Sequence, residues 1–225
     1  ILDVDTRAPS VRVQAGISLD RLLRALLPLG LWLPVVPGTR QVTVGGAIAA
    51  DVHGKNHHVD GSFGDHVSQL DIALASGDVV SATPGGEHAA LFWATVGGMG
   101  LTGVVLEATI ELKEVETSYF VVDTERTRNL AEMLTALETG DDAYTYSVAW
   151  FDTATTGSAL GRGVIMRGNT AIREALEPEQ RRSALEFAAP QRGRVPIELP
   201  AGLVNRFTAR AFNALWYAKS PRHRT

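Results

Sequence analysis

A short stretch, Asp51-Val52-His53-Gly54-Lys55-Asn56-His57-His58, crowds three imidazoles, a carboxylate and an amine into one loop. An imidazole such as His53 can take up or hold a proton near neutral pH, and Lys55 can meet a phosphate. His57 and His58 look like a metal pair, but adjacent histidines point apart and no Cys or carboxylate set completes a site, so no metal is expected. Around this loop lie glycine-rich pieces: Pro37-Gly38-Thr39, Thr43-Val44-Gly45-Gly46, Gly61-Ser62-Phe63-Gly64-Asp65 and Gly97-Gly98-Met99-Gly100-Leu101-Thr102-Gly103. Glycine lets a backbone approach a flat ligand closely, and amides at a helix start can meet phosphate or the polar edge of a ring. No Gly-Lys-Ser/Thr follows any of them, which excludes a Walker loop, and none has the strand-turn-helix setting of a dinucleotide fingerprint.

The elements that must hold these pieces can be read from spacing. Val11–Gln14 alternates as a strand, and Ser18 caps a helix over Leu19–Leu27 that Gly30 closes. Leu31–Val36 reads as a buried strand ending at Pro37-Gly38. Thr43 caps a short helix of small residues reaching Ala50. Val67–Ala75 and Val79–Thr83 form a hairpin, Glu87–Thr95 a helix, and Gly103–Leu112 a strand. Beyond Glu114 the texture changes: strand at Tyr119–Val122, helix at Arg126–Leu137, strands at Tyr144–Phe151 and Gly163–Arg167. Glu174–Glu179 and the Pro-rich stretch to Pro200 read as an irregular excursion. The pattern is α+β, with a domain boundary near 114–118 that gives domains 1–114 and 115–225.

The 225 residues are 45% hydrophobic and 20% charged, ordinary globular material. A net charge of −4 argues against a general nucleic-acid binder. The absence of Cys excludes disulfides and thiolate chemistry. No apolar run is long enough to span a bilayer. Lysine is scarce, with only Lys55, Lys113 and Lys219. Ile1 starts in what reads as mid-strand and Arg224-Thr225 closes no element, so both ends read as cut from something longer.

The order Val13-Gln14-Ala15-Gly16, Pro-Gly-Thr, Thr-Val-Gly-Gly-Ala-Ile-Ala, His-Gly, Gly-Ser-Phe-Gly-Asp and Gly-Leu-Thr-Gly resembles the vanillyl-alcohol-oxidase-type FAD-linked oxidases. Pro37–Gly46 and His53–His58 are most similar to the branch that acts on lipid-linked ribose. Leu91–Gly98, Tyr144–Ser147 and Leu215–Tyr217 extend the likeness, which weakens beyond Gly157. The resemblance implies part of a PCMH-type FAD-binding domain followed by the start of an α+β substrate domain with an antiparallel sheet. It also implies a flavoenzyme that oxidises the 2-hydroxyl of a polyprenylphosphoryl ribose to a ketone. A partner NAD(P)H-dependent keto-reductase then completes epimerisation to the arabinose donor of actinobacterial cell-wall arabinan. The lipid substrate implies work at the membrane surface of the cell envelope.

By the same likeness Gly38, Thr43, Val44, Gly45, Gly46, Ala50, Asp51, Val52 and His53 line FAD, with Gly103 and Val105 reaching it from the later strand. The glycine loop for the pyrophosphate is expected before Ile1, and a closing substrate segment with a lysine and a tyrosine after Thr225. FAD is expected to be non-covalent, with His53 as the catalytic candidate and Lys55 and Trp150 as substrate contacts. Trp32, Trp93 and Trp216 are expected in the core, and Arg181-Arg182 and Arg192-Arg194 in a solvated loop. Two alternatives stand beside this reading: a sugar-lactone or alditol oxidase of the same family, and a flavin-less interaction module.

Overall fold

Leu19, Leu22, Leu23 and Leu26 repeat at helical spacing and Val11 and Val13 at strand spacing, and all six side chains are at most 1% exposed. In the computed structural model, which describes residues 1–187, 202–203 and 205–224, these two patterns meet in one core. In chain order the elements are β1 (Asp3–Asp5), β2 (Ser10–Gln14), α1 (Leu19–Leu26), β3 (Leu31–Trp32), α2 (Val44–Ala49), α3 (His57–Asp60), β4 (Val67–Ala73), β5 (Val79–Ala82), α4 (Ala89–Thr95), β6 (Val104–Glu111) and β7 (Lys113–Glu114). There follow β8 (Phe120–Thr127), α5 (Leu130–Gly140), β9 (Tyr146–Phe151), β10 (Gly163–Thr170), α6 (Pro178–Arg182), α7 (Arg206–Lys219) and β11 (His223–Arg224). They form two compact units, Ile1–Tyr119 with Ala171–Phe187, and Phe120–Thr170 with the described residues between Gly202 and Arg224. The fold is α+β, and strand pairing among the described residues is antiparallel.

The first unit is built on a five-stranded sheet in the order β1-β2-β6-β4-β5. Ser18 accepts the Arg21 amide at the start of α1, as its residue type predicts. The expected strand at Leu31–Val36 is shorter: only Leu31 and Trp32 pair, with Glu114 and Lys113. Pro34 has no N–H to give a ladder, and Leu33, Pro34 and Val35 are buried without one. A β-bulge between Asp71 and Ile72 shifts the register of β4 on β6, so that Asp71 pairs Glu107 and Ile72 pairs Val105. The shift turns Val105 toward the core and leaves Val104 65% exposed. Residues 171–187 pack on this unit, with Phe187 against the main core under the guanidiniums of Arg24 and Arg40. Arg181 is held by the carbonyls of Leu176 and Glu174. Arg192, Arg194 and the Pro-rich stretch from 188 to Pro200 lie outside the described residues.

The second unit carries a four-stranded sheet, β11-β8-β10-β9. The helix expected at Arg126–Leu137 starts later. Phe120–Thr127 pairs residue for residue with Thr170–Gly163, so the strand outcompetes the helix until Asn129 caps α5 through the Glu132 amide. Ile165 and Arg167 of β10 face α5, where Met133 is 2% exposed and Ala136 accepts from Arg167. By strand alternation Val164 and Met166 face the other way, level with Trp150 and Val148 of β9 and with Arg126 and Thr124 of β8.

Helix α7 escapes the sequence reading although Asn205 and Thr208 form a capping box. It is held to this unit by polar groups. Asn213 donates to Asp152 at 2.8 Å, the Tyr217 hydroxyl donates to the Thr127 carbonyl, and Arg126 and Arg162 lie over the Tyr217 ring. Asp152 is fully buried. Burial alone would raise its carboxyl, but Thr155, Asn213, the Ala154 amide and Arg162 together hold it at about 2. Because this value is depressed from an ordinary 3.8, the stabilisation is complete above pH ~4 and is lost as pH falls toward 2. Asp152→Asn should flatten that acid limb of the unfolding curve. Asp152→Ala, which strands Arg162 and Asn213, should destabilise the protein by about 3 kcal/mol in urea titrations.

Candidate functional site

Helix α2 is six residues long, and its two sides differ in kind. Val44, Ala47 and Ile48 are fully buried, while Thr43, Gly46 and Ala50, spaced three and four apart, are exposed. The outward side therefore offers backbone, two methyls and a hydroxyl, with no bulky side chain. The sequence suggested that amides at this helix start could meet phosphate; the structure corrects that. The Val44 and Gly45 amides donate to the carbonyls of Ile17 and Ala15, and the Gly46 amide donates to Thr43 Oγ1 at 3.1 Å. The N-terminus is already satisfied by protein and is not a free anion site.

The other end of α2 is closed by the late glycine loop. The Gly97 amide donates to the Ile48 carbonyl at 3.0 Å and the Met99 amide to the Ala49 carbonyl at 2.8 Å. Asp51 and Met99, at φ 41° and 52°, are the non-glycine residues with left-handed backbone among those described, and both sit at this junction. The Asp51 carboxylate accepts the Gly64 amide at 3.0 Å, which ties the Gly-Ser-Phe-Gly-Asp loop to the end of α2. His53 bridges Ser62, is exposed, and has its ring 5.5 Å from that of His57, edge to face. A Cβ on Gly54 would lie 3.0 Å from the Val36 carbonyl, so His53-Gly54 runs against the chain that leads into Pro37-Gly38.

The entry chain at Pro37–Arg40 is fixed by a carboxylate the sequence reading passed over. Asp20 accepts from Arg24 at 3.1 Å and from Arg40 at 2.5 Å, while its own amide donates to the Arg40 carbonyl. The hydrogen bond from Arg24 leads the causes that lower the Asp20 carboxyl below its usual value. Near the His53 loop, Asn56 is 1% exposed and donates to the Pro34 carbonyl and to Asp60, which also pairs with Lys113.

The structure thus brings Gly38, Thr43, Gly46, Ala50 and His53 to the surface of one unit. Val44, Val52 and Val105 point into its core, and Gly45 lies against Ala15. Gly103 has a local reason to be glycine: at φ 155° a Cβ would stand 2.4 Å from the Ala73 carbonyl. Lys55 is exposed on the same loop as His53. Trp150 belongs to the second unit, half-buried on β9 opposite Val164. Sequence reasoning missed Met99 and Leu101, which are 71% and 91% exposed beside the end of α2. The signal available was apolar residues inside a glycine loop. Trp93 and Trp216, expected in the core, are 48% and 46% exposed; Trp93 donates to the Pro84 carbonyl.

A flat helix face free of bulk, bordered by uncovered apolar side chains, fits a large planar ring system. No group of three or more metal-ligating side chains occurs among the described residues.

Comparison with known proteins gives this geometry a class. Residues 1–83 match the family of FAD binding domains, so the first unit carries an FAD binding domain and FAD is its cofactor. Across the whole chain the sequence is 49% identical to decaprenylphosphoryl-beta-D-ribose oxidase of Mycolicibacterium smegmatis, covering 49% of that protein. It is 42% identical over 192 residues, 85% of the chain, to an uncharacterized protein of Streptomyces coelicolor encoded in the mprA 5' region, covering 51% of it. It is 32% identical over 116 residues, 52% of the chain, to the Delta(24)-sterol reductase of Arabidopsis thaliana, covering 21% of that enzyme. The chain spans about half the length of the first two of these proteins.

Two substitutions separate the part of the site that builds the fold from the part that is open. Gly103→Ala should destabilise the protein by about 2–4 kcal/mol in urea unfolding, because backbone rather than a movable side chain blocks the new methyl. Ala50→Leu, which extends into solvent, should leave stability within about 0.5 kcal/mol yet weaken FAD binding at least ~10-fold in a fluorescence titration.

Proposed function

We propose that the chain carries the FAD-binding domain and the first part of the substrate domain of an oxidoreductase that converts the 2-hydroxyl of a polyprenylphosphoryl-β-D-ribose to a ketone. Identity of 49% over the whole chain to a decaprenylphosphoryl-beta-D-ribose oxidase carries this reading. The open face of α2 and the exposed His53 beside it support it from the side of geometry. FAD, when bound, supplies the two-electron acceptor that takes the hydride from the ribose C2.

The chain's own residues have narrower tasks. Gly38, Thr43, Gly46 and Ala50 form the surface on which the cofactor lies, with Val44, Gly45, Asp51, Val52, Gly103 and Val105 shaping and bracing it. His53 accepts or orients the hydroxyl proton that must leave as the ketone forms. Lys55 meets the phosphate of the substrate, and Trp150 walls the sugar pocket. The domains divide near 114–118, with the FAD-binding part before and the substrate part after, and residues 171–187 return to pack on the first unit. The keto product requires a hydride-donating NAD(P)H-dependent reductase as partner if the sugar is to leave as arabinose. A polyprenyl substrate places the work at the membrane surface of the cell envelope.

FAD titration into this chain, and into a version extended to the length of the relatives, tests the reading. The expected result is a flavin band near about 450 nm that bleaches when polyprenylphosphoryl ribose is added without oxygen. His53→Ala should keep FAD but slow that bleaching by roughly 10²–10⁴-fold. Bleaching by soluble polyols in place of the lipid-linked sugar would replace the substrate assignment with an alditol-oxidase activity. FAD binding is expected to be weak or absent in this chain alone and present in the extended version; binding by neither length would overturn the function altogether.

A further inference from the structure

Helix α7 is oriented the wrong way round for a helix on a water-soluble surface. Of its half-buried positions, Ala209, Asn213 and Tyr217, the last two carry the polar contacts to Asp152, Thr127 and Arg126 described above. No residue of the helix is buried. At about 100° per residue, Phe207, Ala211, Ala214, Leu215 and Ala218 fall within one arc of roughly 100° on the side away from Asn213. Phe212 lies about 60° beyond that arc, and Trp216, stacked on it, lies about 100° beyond, on the half-buried side, where it borders a groove with Phe120, Val122, Val164 and Met166. Phe207, Phe212, Leu215 and Trp216 are 67%, 62%, 63% and 46% exposed, and Leu203 just before the helix is 49% exposed. The polar side packs on protein and the apolar side faces out.

The charge along this segment has one sign. Between Gly202 and Arg224 the cations are Arg206, Arg210, Lys219, Arg222 and Arg224, with no Asp or Glu, in a chain whose net charge is −4. Aromatic and leucine side chains facing outward, flanked by Arg and Lys, match the chemistry of an anionic bilayer surface. Rings and methyls enter the acyl boundary, and guanidiniums and ammonium meet the phosphates. A soluble partner would need an equally apolar groove with an acidic rim; a bilayer supplies both from its ordinary structure. No helix of the described residues is long and apolar enough to cross a membrane, so the contact would be peripheral.

We infer that α7 is an interfacial helix that docks the protein on anionic lipid through Phe207, Phe212 and Leu215, with Trp216 at the edge of the contact. The inference deepens the membrane placement proposed above by naming the element that makes the contact, and its observations are those of α7, independent of FAD and of the ribose.

Flotation with vesicles of equal parts phosphatidylglycerol and phosphatidylcholine tests it. The protein should float with these vesicles and bind phosphatidylcholine alone at least ~10-fold more weakly. Phe212→Glu and Leu215→Glu change outward side chains, so circular dichroism should be unchanged while vesicle binding falls ~10-fold or more. Brominated lipid should quench the wild-type tryptophan fluorescence, and Trp216→Phe should remove that quenching. Failure of the wild type to float, or flotation indifferent to both Glu variants, overturns the proposal. So does a dimer in sedimentation that Leu215→Glu splits while no vesicle is bound, since a second copy would then cover the face. Vesicle binding by protein that takes up no FAD would leave this inference standing and count only against the proposed reaction.

Discussion

A helix of six residues cannot hold itself together in water, because nucleating it fixes more backbone freedom than its few internal hydrogen bonds return. Helix α2 exists because the polar groups at both its ends are taken by other segments. Ile17 and Ala15 accept its first amides, and Gly97 and Met99 donate to its last carbonyls. The two pairs of bonds join two different stretches of chain to the same short helix, so the turn before α1 and the late glycine loop are registered against one another by α2. The His53 loop follows through Val52, whose amide donates to the Ala47 carbonyl. Val44, Ala47 and Ile48 then sink into the core and leave the opposite face bare.

That bareness gives the site its character. A protein surface with no ligand to accommodate would gain stability by filling such a face with side chains, since close packing is worth several kcal/mol over a helix of this size. Here the uncovered surface is bordered by Met99 and Leu101, and two non-glycine residues hold left-handed backbone at its edge. Strain and exposed apolar area are retained together where a protein binds something flat. The glycines divide accordingly. Gly103 is required by the neighbouring strand, whereas a Cβ on Gly38 would meet nothing within 4 Å.

The second unit is organised by a different device, a buried carboxylate. Asp152 gathers Thr155, Arg162, Asn213 and the Ala154 amide, and through Asn213 it fixes which side of α7 faces the protein. An apolar helix face needs no such fixing, because it would bury itself. The polar clamp is what turns the phenylalanines and the leucine of α7 outward. Sheet alternation does similar work on β8, β9 and β10, giving one face to α5 and the other to Val164, Met166 and Trp150.

Local chemistry was legible in the sequence wherever a rule acts within a few residues. Ser18 and Thr43 accept amides at helix starts, the β4–β5 hairpin follows its turn residues, and the motif order marks an FAD binding domain. The sequence also carried the apolar residues of the glycine loop and the capping box of α7, although their meaning depends on what lies beside them. Only the tertiary structure decided that the α2 amides are already used, that the bulge turns Val105 inward, that Asp20 and Asp60 serve distant loops, and that Trp93 and Trp216 are half-exposed. Hydrogen bonds and burial are settled between segments far apart in the chain, and periodicity along the chain holds no record of which partner each will meet.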